Sequence, residues 1–535
     1  MEALDWLVIG VFFLALIGII VWVVRQKQND SADYFLGGRD ATWLAIGASI
    51  FASNIGSEHL IGLAGAGASS GMAMAHWEIQ GWMILILGWV FVPFYSRSMV
   101  YTMPEFLERR YNPQSRTILS VISLVSYVLT KVAVTVYAGG LVFQQVFGIK
   151  ELWGIDFFWI AAIGLVVLTA LYTIFGGMKS VLYTSVLQTP ILLLGSLIIL
   201  VLGFKELGGW DEMMRVCGAV TVNDYGDTMT NLIRSNDDAN FPWLGALIGS
   251  AIIGFWYWCT DQFIVQRVLS GKNEKEARRG TIFGAYLKLL PVFLFLIPGM
   301  IAFALHQKYI GAGGEGFLPM LANGTANADA AFPTLVAKLL PAGVKGLVVC
   351  GILAALMSSL ASLFNSSAML FTIDFYKRFR PETPEKKLVG IGQIATVVLA
   401  PGIAAAFLLG ICWKRTSAQG GMWGLIAGMV IGLTRLGAKV YYSNAGEVAD
   451  STFKYLFYDM NWLFFCGWMF LFCIIVVIVV SLATEAPTAE KIQGLVFGTA
   501  TKEQKAATRA SWDHWDIIHT AIILAITAAF YWYFW

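Results

Sequence analysis

The chain has 535 residues, of which 58% are hydrophobic and only 13% are charged. A soluble protein cannot bury so much apolar surface, so the composition excludes that class. It indicates instead several membrane spans of about 20 residues each. Lys and Arg number 36 against 34 Asp and Glu, a balance that gives no indication of a nucleic-acid partner. Because strict apolar/polar alternation is absent, we expect helices rather than barrel strands, and hence an all-α polytopic membrane protein.

Thirteen apolar runs of spanning length follow one another along the chain. They cover residues 6–24, 42–70, 73–96, 117–148, 153–175, 181–203, 242–265, 281–305, 345–372, 388–413, 421–444, 461–483 and 516–535. No basic segment precedes the first run, which is long enough to span, so we expect a membrane helix there rather than a signal peptide. The six cysteines form neither a disulfide framework nor a CxxC metal motif.

Loops rich in Lys and Arg alternate with loops of mixed sign. The basic loops include residues 97–116, 266–279, 376–387 and 484–511. Because positively charged loops stay in the cytoplasm, we expect a multi-pass protein of the plasma (inner) membrane, embedded in its lipid bilayer, with the N-terminus outside.

This alternation fails once, after Lys387. Lys387 and Lys414 should both lie inside, so an even number of crossings must separate them, but only residues 388–413 are available. Two crossings need about 40 residues. Either the chain is truly one helix short, or a stretch near residues 399/400 is missing from the sequence and the numbering closes over it. We favour the second, because the later loops keep the charges of a complete set of spans.

Several ionisable residues lie inside the spans, where such groups are rare and usually face a cavity. They are Glu58, His59, His76, Glu78, Lys131, Asp261 and Lys288. Residues 53–59 form an especially polar stretch within a span, and nearby glycines weaken the helix there. We therefore predict a broken helix whose unwound turn offers backbone carbonyls to a cation and a polar solute. The alternative is small residues that let helices pack closely.

Two later spans carry polar clusters. Residues 256–262 read WYWCTDQ, and aromatic rings beside hydrogen-bonding groups suit a sugar, although an interfacial aromatic belt is an equal alternative. Residues 357–367 read MSSLASLFNSS. Their hydroxyls could ligate sodium from one helix face, or they could bond back to their own helix.

Taken together, the sequence resembles the sodium/solute symporter family, most closely its sodium/glucose (galactose) cotransporter branch. The matching segments, in order, are FASNIGSEHLIGLAGAG, PEFLERRY, YTIFGGMKSVLYTSVLQT, FWYWCTDQFIVQRVLS, YLKLLP and LMSSLASLFNSS. The resemblance implies a leucine-transporter-like fold of two inverted five-helix repeats, in each of which the first helix is broken. Residues 6–24 would be an extra N-terminal helix, about 42–203 and 242–413 the two repeats, and 421–535 the extra C-terminal helices.

The resemblance also implies two binding sites. The sodium site would use the backbone of Ala52 and Ile55 together with Ala355, Ser358 and Ser359. The sugar site would use Asn54, His59, Glu78, Tyr257, Trp258 and Lys288, and Tyr257 would also form part of an inner gate.

The sequence departs from the family pattern at two places. Ser185 stands where members that bind two sodium ions have an aspartate, so we expect one sodium ion per solute. The stretch near residues 399/400 is shorter than in the family, and the residues absent there include a glutamine that contacts the sugar.

These features predict a transporter and not an enzyme. The predicted activity is import of a glucose- or galactose-type sugar, coupled to Na+ and working by alternating access. Another solute, such as myo-inositol, another polyol or a carboxylate, is the alternative within transport. A solute sensor would need a signalling domain after the last span, and a haem-bearing membrane oxidoreductase would need paired histidines on facing helices. Oligomeric state is not predicted.

Overall fold

Helices make up almost all of the regular structure in the computed structural model. It describes residues 1–26, 30–56, 58–377, 404–444 and 450–535. The one sheet among these residues is a short hairpin that pairs Glu151–Leu152 with Ile155–Asp156. The predicted all-α class is therefore confirmed, with this small addition in a loop.

The helices follow the predicted runs closely but are often interrupted. Up to residue 218 they are Ala3–Val24, Ser31–Leu36, Gly37–Arg39, Trp43–Asn54, Glu58–Leu63, Ala64–Ser69, Gly71–Trp77, Gly81–Ile86, Leu87–Phe91, Val92–Ser98, Met103–Arg110, Pro113–Ser126, Tyr127–Val132, Ala133–Phe147, Phe157–Leu207 and Trp210–Gly218. From residue 243 they are Trp243–Gly254, Phe255–Thr260, Gln262–Leu269, Glu274–Lys288, Val292–Leu296, Ile297–Gly311, Ala328–Ala330, Ala331–Leu339, Val344–Met369, Leu370–Tyr376, Ala404–Cys412, Ala418–Asn444, Thr452–Lys454, Tyr455–Asp459, Trp462–Ala483, Ala489–Ile492, Lys502–Ala510 and His514–Tyr533.

Nine helical runs in the described part of the chain are long and apolar enough to cross a membrane. This number covers only the described residues, so it leaves out most of the predicted span 388–413. The predicted spans 153–175 and 181–203 lie on the two sides of a kink in the 51-residue run Phe157–Leu207, and they are two helices. That run is divided at Gly177, whose φ of 53° and ψ of −149° are not helical. A Cβ there would lie 2.5 Å from the carbonyl oxygen of Tyr34, so glycine is required at this bend.

Two helices are interrupted inside the bundle with nearly the same backbone geometry. The first broken helix consists of Trp43–Asn54 and the turns from Glu58 to Ser69, and Ile55 between them is extended with φ −79° and ψ 112°. The second broken helix consists of Trp243–Thr260 and Gln262–Leu269, with Asp261 extended at φ −77° and ψ 127°. The predicted break within residues 53–59 is confirmed.

A third helix lies against both the first broken helix and the Phe157–Leu207 run. This is Val344–Met369, which we call the serine helix because Ser358, Ser359 and Ser362 are all buried along it. The hydroxyls of residues 357–367 thus lie in the centre of the bundle, at the level of the first helix break.

The segment from Met103 to Ser126 contacts two parts of the chain. One follows directly after the serine helix, and the other lies after residue 404. Arg116 pairs with Asp374 at 2.7 Å, and Arg110 donates to the carbonyls of Gly410, Trp413 and Thr416. Both sides of the 378–403 stretch therefore meet at one end of the bundle, as an even number of crossings would require. Lys387 and the expected missing helix near 399/400 lie outside the described residues, so that helix stays a prediction.

Asp5 holds the extra N-terminal helix against the start of the serine helix. Its Oδ1 accepts hydrogen bonds from the backbone amides of Gly343 at 2.7 Å and Gly346 at 2.9 Å. Amides in the first turn of a helix have no partner inside that helix, so a side chain from a neighbouring helix here does the work of an N-cap.

We expect Asp5→Ala to lower the apparent melting temperature of the purified protein in detergent. The loss corresponds to about 0.5–2 kcal/mol, the usual cost of removing an N-cap side chain. Asp5→Asn should retain most of the stability, because its amide oxygen can still accept. Asp450→Ala is a matched control, since Asp450 pairs with Lys454 at a side-chain exposure of 95%. Equal melting of Asp5→Ala and the control would contradict the assignment.

Candidate functional site

The break in the first broken helix meets the serine helix through oxygen atoms. The Ser359 hydroxyl donates to the carbonyls of Ser53 at 2.9 Å and Ile55 at 3.0 Å. The hydroxyls of Ser53 and Ser362 lie 2.6 Å apart. Uncharged oxygens from an unwound turn and from a facing helix are the kind of ligands that coordinate sodium in broken-helix transporters.

The remaining residues of the predicted sodium site are buried around this contact. Ala52 precedes the break, and Ala355 and Ser358 lie on the facing helix. The Ser358 hydroxyl is 3.3 Å from the hydroxyl of Ser185. A serine hydroxyl can rotate to accept or donate, so the Ser359 oxygen could turn its hydrogen away from Ile55 and serve as a ligand.

Glu78 is the centre of the predicted solute site. Its Oε2 lies 2.6 Å from the Lys288 ammonium and 3.4 Å from His59 Nε2. The side chains of all three residues are less than a tenth exposed. The Lys288 ammonium also lies 5.5 Å from the centre of the Trp258 ring. The buried Glu78 carboxylate thus links two residues from other helices, Lys288 and His59.

Asn54 and Tyr257 complete the set. The Asn54 amide nitrogen donates to the Tyr257 hydroxyl at 3.1 Å, and the Tyr257 ring contacts the Trp258 ring edge-on with centroids 4.9 Å apart. Asn54 Oδ1 is buried and has no hydrogen-bond partner among the described residues. An unsatisfied buried oxygen is costly, so this position suits a donor supplied by a ligand. The structure brings all six predicted solute residues into one connected group.

A cavity of about 240 Å³ lies beside Tyr257 of the predicted solute site and Ser359 of the predicted sodium site. It is lined by Ser53, Lys131, Val134, Thr135, Tyr257, Phe263, Ser359 and Leu363. The Tyr257 side chain is therefore one wall of a space that also reaches the serine helix. This position fits the predicted role of Tyr257 as part of a gate.

The sequence identified Lys131 and Asp261 as ionisable groups in spans but assigned neither to a site. The Lys131 ammonium lies 2.5 Å from Asp261 Oδ2 and 4.8 Å from the centre of the Tyr257 ring. The Tyr127 hydroxyl also donates to Asp261, which caps the helix that begins at Gln262. The ion pair therefore fixes the second helix break beside Tyr257.

Gln80 is a neighbour of the site that the sequence did not single out. Its Oε1 accepts from the Trp258 indole at 3.3 Å and its Nε2 donates to the Ser250 carbonyl at 2.9 Å. Gln80 has an apolar residue on each side, whereas the clusters that the sequence indicates contain several polar residues together. An uncharged amide buried in an apolar run is the signal that could have found it.

Other polar residues of the spans have structural partners. His76 lies 3.0 Å from the Tyr531 hydroxyl and 3.1 Å from the Leu232 carbonyl, so it links its helix to the C-terminal helix. Gly67 abuts the carbonyl of Leu296, and close helix packing is the reason for that glycine. The side chain of Glu58 lies outside the described part of the structure.

Comparison with known proteins shows the family to which the chain belongs. The model of the sodium:solute symporter family matches residues 34–401. Sodium/myo-inositol cotransporter 2 of Mus musculus is 34% identical over 93% of this chain and 80% of its own length. Sodium/glucose cotransporter 1 of Oryctolagus cuniculus is 36% identical over 90% of this chain and 79% of its own length.

A solved structure of a Na+-coupled sialic acid symporter, in a substrate-bound outward-open state, has the same fold. Its TM-score is 0.70 over 91% of this chain and 99% of that chain, at 21% sequence identity. At this identity the likeness shows the fold alone, and it confirms the predicted leucine-transporter-like architecture. The chain is therefore a multi-pass membrane protein that belongs to the sodium:solute symporter family and couples sodium to the transport of a small solute.

Proposed function

We propose that the transported solute is a neutral polyhydroxylated molecule, a sugar of the glucose or galactose type. The observation that carries this proposal is the buried pairing of Lys288 with Glu78. Lys288, the cation within the group around Glu78, is compensated by that carboxylate at 2.6 Å. A carboxylate solute would compete with Glu78 for this cation, and it would bring a second negative charge into a buried site.

The same group offers what a polyol needs. Glu78 accepts hydrogen bonds, Asn54 Oδ1 is an acceptor without a partner in the described chain, and Tyr257, which lines the cavity, supplies an aromatic ring. Buried groups of this kind reject analogues that lack the matching hydroxyl, because a donor or acceptor is then left unsatisfied. Myo-inositol carries the same kind of hydroxyls and is the second candidate, supported by the relative that bears its name.

In this proposal, sodium binding is coupled to solute binding through two neighbouring residues at the break in the first broken helix. Ile55, whose carbonyl meets Ser359, directly follows Asn54, whose amide meets Tyr257. A sodium ion held between Ile55 and the serine helix would fix Asn54 and so favour the state that binds the solute. Downhill entry of sodium would then drive import by alternating access. The distribution of basic loops supports a plasma-membrane location with the N-terminus outside.

Uptake by proteoliposomes tests the solute class. We expect an inward sodium gradient to drive accumulation of labelled glucose, galactose or myo-inositol, and an equal potassium gradient to drive none. Sialic acid is the carboxylate comparison. Sodium-driven uptake of sialic acid with no uptake of any neutral polyol would contradict the proposal.

The stoichiometry gives a separate prediction, one sodium ion per solute. Ser185 contacts the hydroxyls of Ser49 and Ser358, so the described side chains bonded to it carry no charge that would help to hold a second cation. Reversal potentials of the reconstituted protein at several solute gradients measure the ratio directly. We expect Ser185→Ala to leave it unchanged, and a ratio of two in the unaltered protein would refute the prediction.

A further inference from the structure

A groove outside the transport site lies between the Glu274–Lys288 helix and the C-terminal His514–Tyr533 helix. Its volume is about 450 Å³, which falls within the range of about 300–1,000 Å³ of ligand pockets. It is lined by Trp43, Arg279, Ile282, Phe283, Tyr286, Trp515, Asp516 and His519. Only 17% of the C-terminal span is buried within the protein, so the groove opens beside a helix that faces lipid.

The aromatic side chains of the groove place it at the edge of the membrane. Trp43 and Trp515 are 40% and 55% exposed, and each stands at the beginning of its helix. Tryptophans at the ends of spans mark the boundary between hydrocarbon and headgroups. The deeper wall is formed by Ile282 and Phe283, so an acyl chain could lie along it while a headgroup remains at the rim.

The rim carries charges of both signs. Arg279 bonds to Asp513 at 2.7 Å and to Asp516 at 3.0 Å. Desolvation opposes ionisation of Asp513, but the Trp515 amide and the Arg279 guanidinium hold the pKa of that carboxyl below its usual value. The rim therefore presents the Arg279 guanidinium beside the carboxylates of Asp513 and Asp516. The Lys275 ammonium also acts on Asp513, and the Glu276 carboxylate accepts from the Trp43 amide.

We infer that this groove binds phosphatidylethanolamine, a zwitterionic phospholipid with a primary ammonium headgroup. The phosphate matches Arg279, and the ammonium can donate hydrogen bonds to the carboxylates of Asp513 and Asp516. An anionic lipid would meet three carboxylates, those of Asp513, Asp516 and Glu276, with only two cations, Arg279 and Lys275. A choline headgroup has no N–H to donate. The occupied groove would join the start of the first broken helix, the helix that carries Lys288, and the C-terminal helix.

Thermal unfolding of the purified full chain in detergent tests the assignment. Phosphatidylethanolamine, phosphatidylglycerol and phosphatidylcholine are titrated separately, and the shift in apparent melting temperature is recorded. We expect phosphatidylethanolamine to produce the largest shift. Trp515→Ala should need about tenfold more of it for half of that shift, since partial burial of a large ring against lipid contributes on the order of that factor.

Two further variants make the test specific. Ile282→Trp fills the groove and should reduce the shift in the same way, whereas Trp468→Ala should behave like the unaltered protein, because Trp468 is 63% exposed on another lipid-facing helix. Equal shifts with all three lipids, a larger shift with phosphatidylglycerol, or an unaltered response in Trp515→Ala would overturn the inference. A change of oligomeric mass in Trp515→Ala would assign the groove to a second copy of the chain instead.

Discussion

Replacing Glu78 by Gln will weaken solute binding more than any other single change in the site. The carboxylate is the shared acceptor of Lys288 and His59, and all three side chains are buried. Removing one partner of a buried ion pair also destabilises the fold by about 3–5 kcal/mol. A solute hydroxyl that loses its charged acceptor costs about 1–3 kcal/mol of binding, so we expect the solute concentration for half-maximal uptake to rise about tenfold to a hundredfold.

Binding must be separated from folding in this experiment. Sodium-driven uptake is measured with the melting temperature of each variant, and Glu212→Gln, which alters an exposed pair with Arg215, serves as the control. The double variant Glu78→Gln/Lys288→Met removes both charges. We expect it to melt closer to the unaltered protein than Glu78→Gln does, while solute binding stays weak. Normal uptake by Glu78→Gln would show that Glu78 is structural and outside the solute site.

The central break could be predicted from the sequence because it has a local cause. Polar residues and glycines in a run that is otherwise apolar indicate an unwound turn, and Ile55 is extended there. The sequence also predicts the spans 153–175 and 181–203 as separate, and the structure divides Phe157–Leu207 between them at Gly177. The shape of that bend could not be predicted, because it brings Gly177 against Tyr34 of a distant segment.

The contacts that complete the site could not be predicted, because their partners are far apart in the chain. Lys131 and Asp261 are separated by 130 residues, and Gln80 and Trp258 by 178. Composition indicates that a buried charge needs a partner but not which of several candidates it meets. The resemblance to a family indicated which six residues form the solute group. Only the structure shows how these residues are arranged.

The double variant Ser358→Ala/Ser359→Ala should have the second large effect, a weaker binding of sodium. Two hydroxyl oxygens of the serine helix are lost, and one of them contacts the Ile55 carbonyl at the break. Each missing oxygen leaves a sodium ion under-coordinated. We expect the sodium concentration for half-maximal uptake to rise at least about tenfold, the equivalent of roughly 1.4 kcal/mol. Ser359→Ala alone should have a larger effect than Ser358→Ala, whose hydroxyl contacts Ser185.

The same variant distinguishes a sodium ligand from a residue that only packs. Ser366→Ala is the matched control, because its hydroxyl lies on the same helix but donates to Gln266. If Ser358 and Ser359 hold sodium, saturating sodium should restore most of the solute affinity of the double variant, since the ion acts on Asn54 through the adjacent Ile55. A packing defect would lower solute affinity equally at every sodium concentration. Unchanged sodium dependence would remove both serines from the ion site and leave the Ser359–Ile55 contact as a structural link.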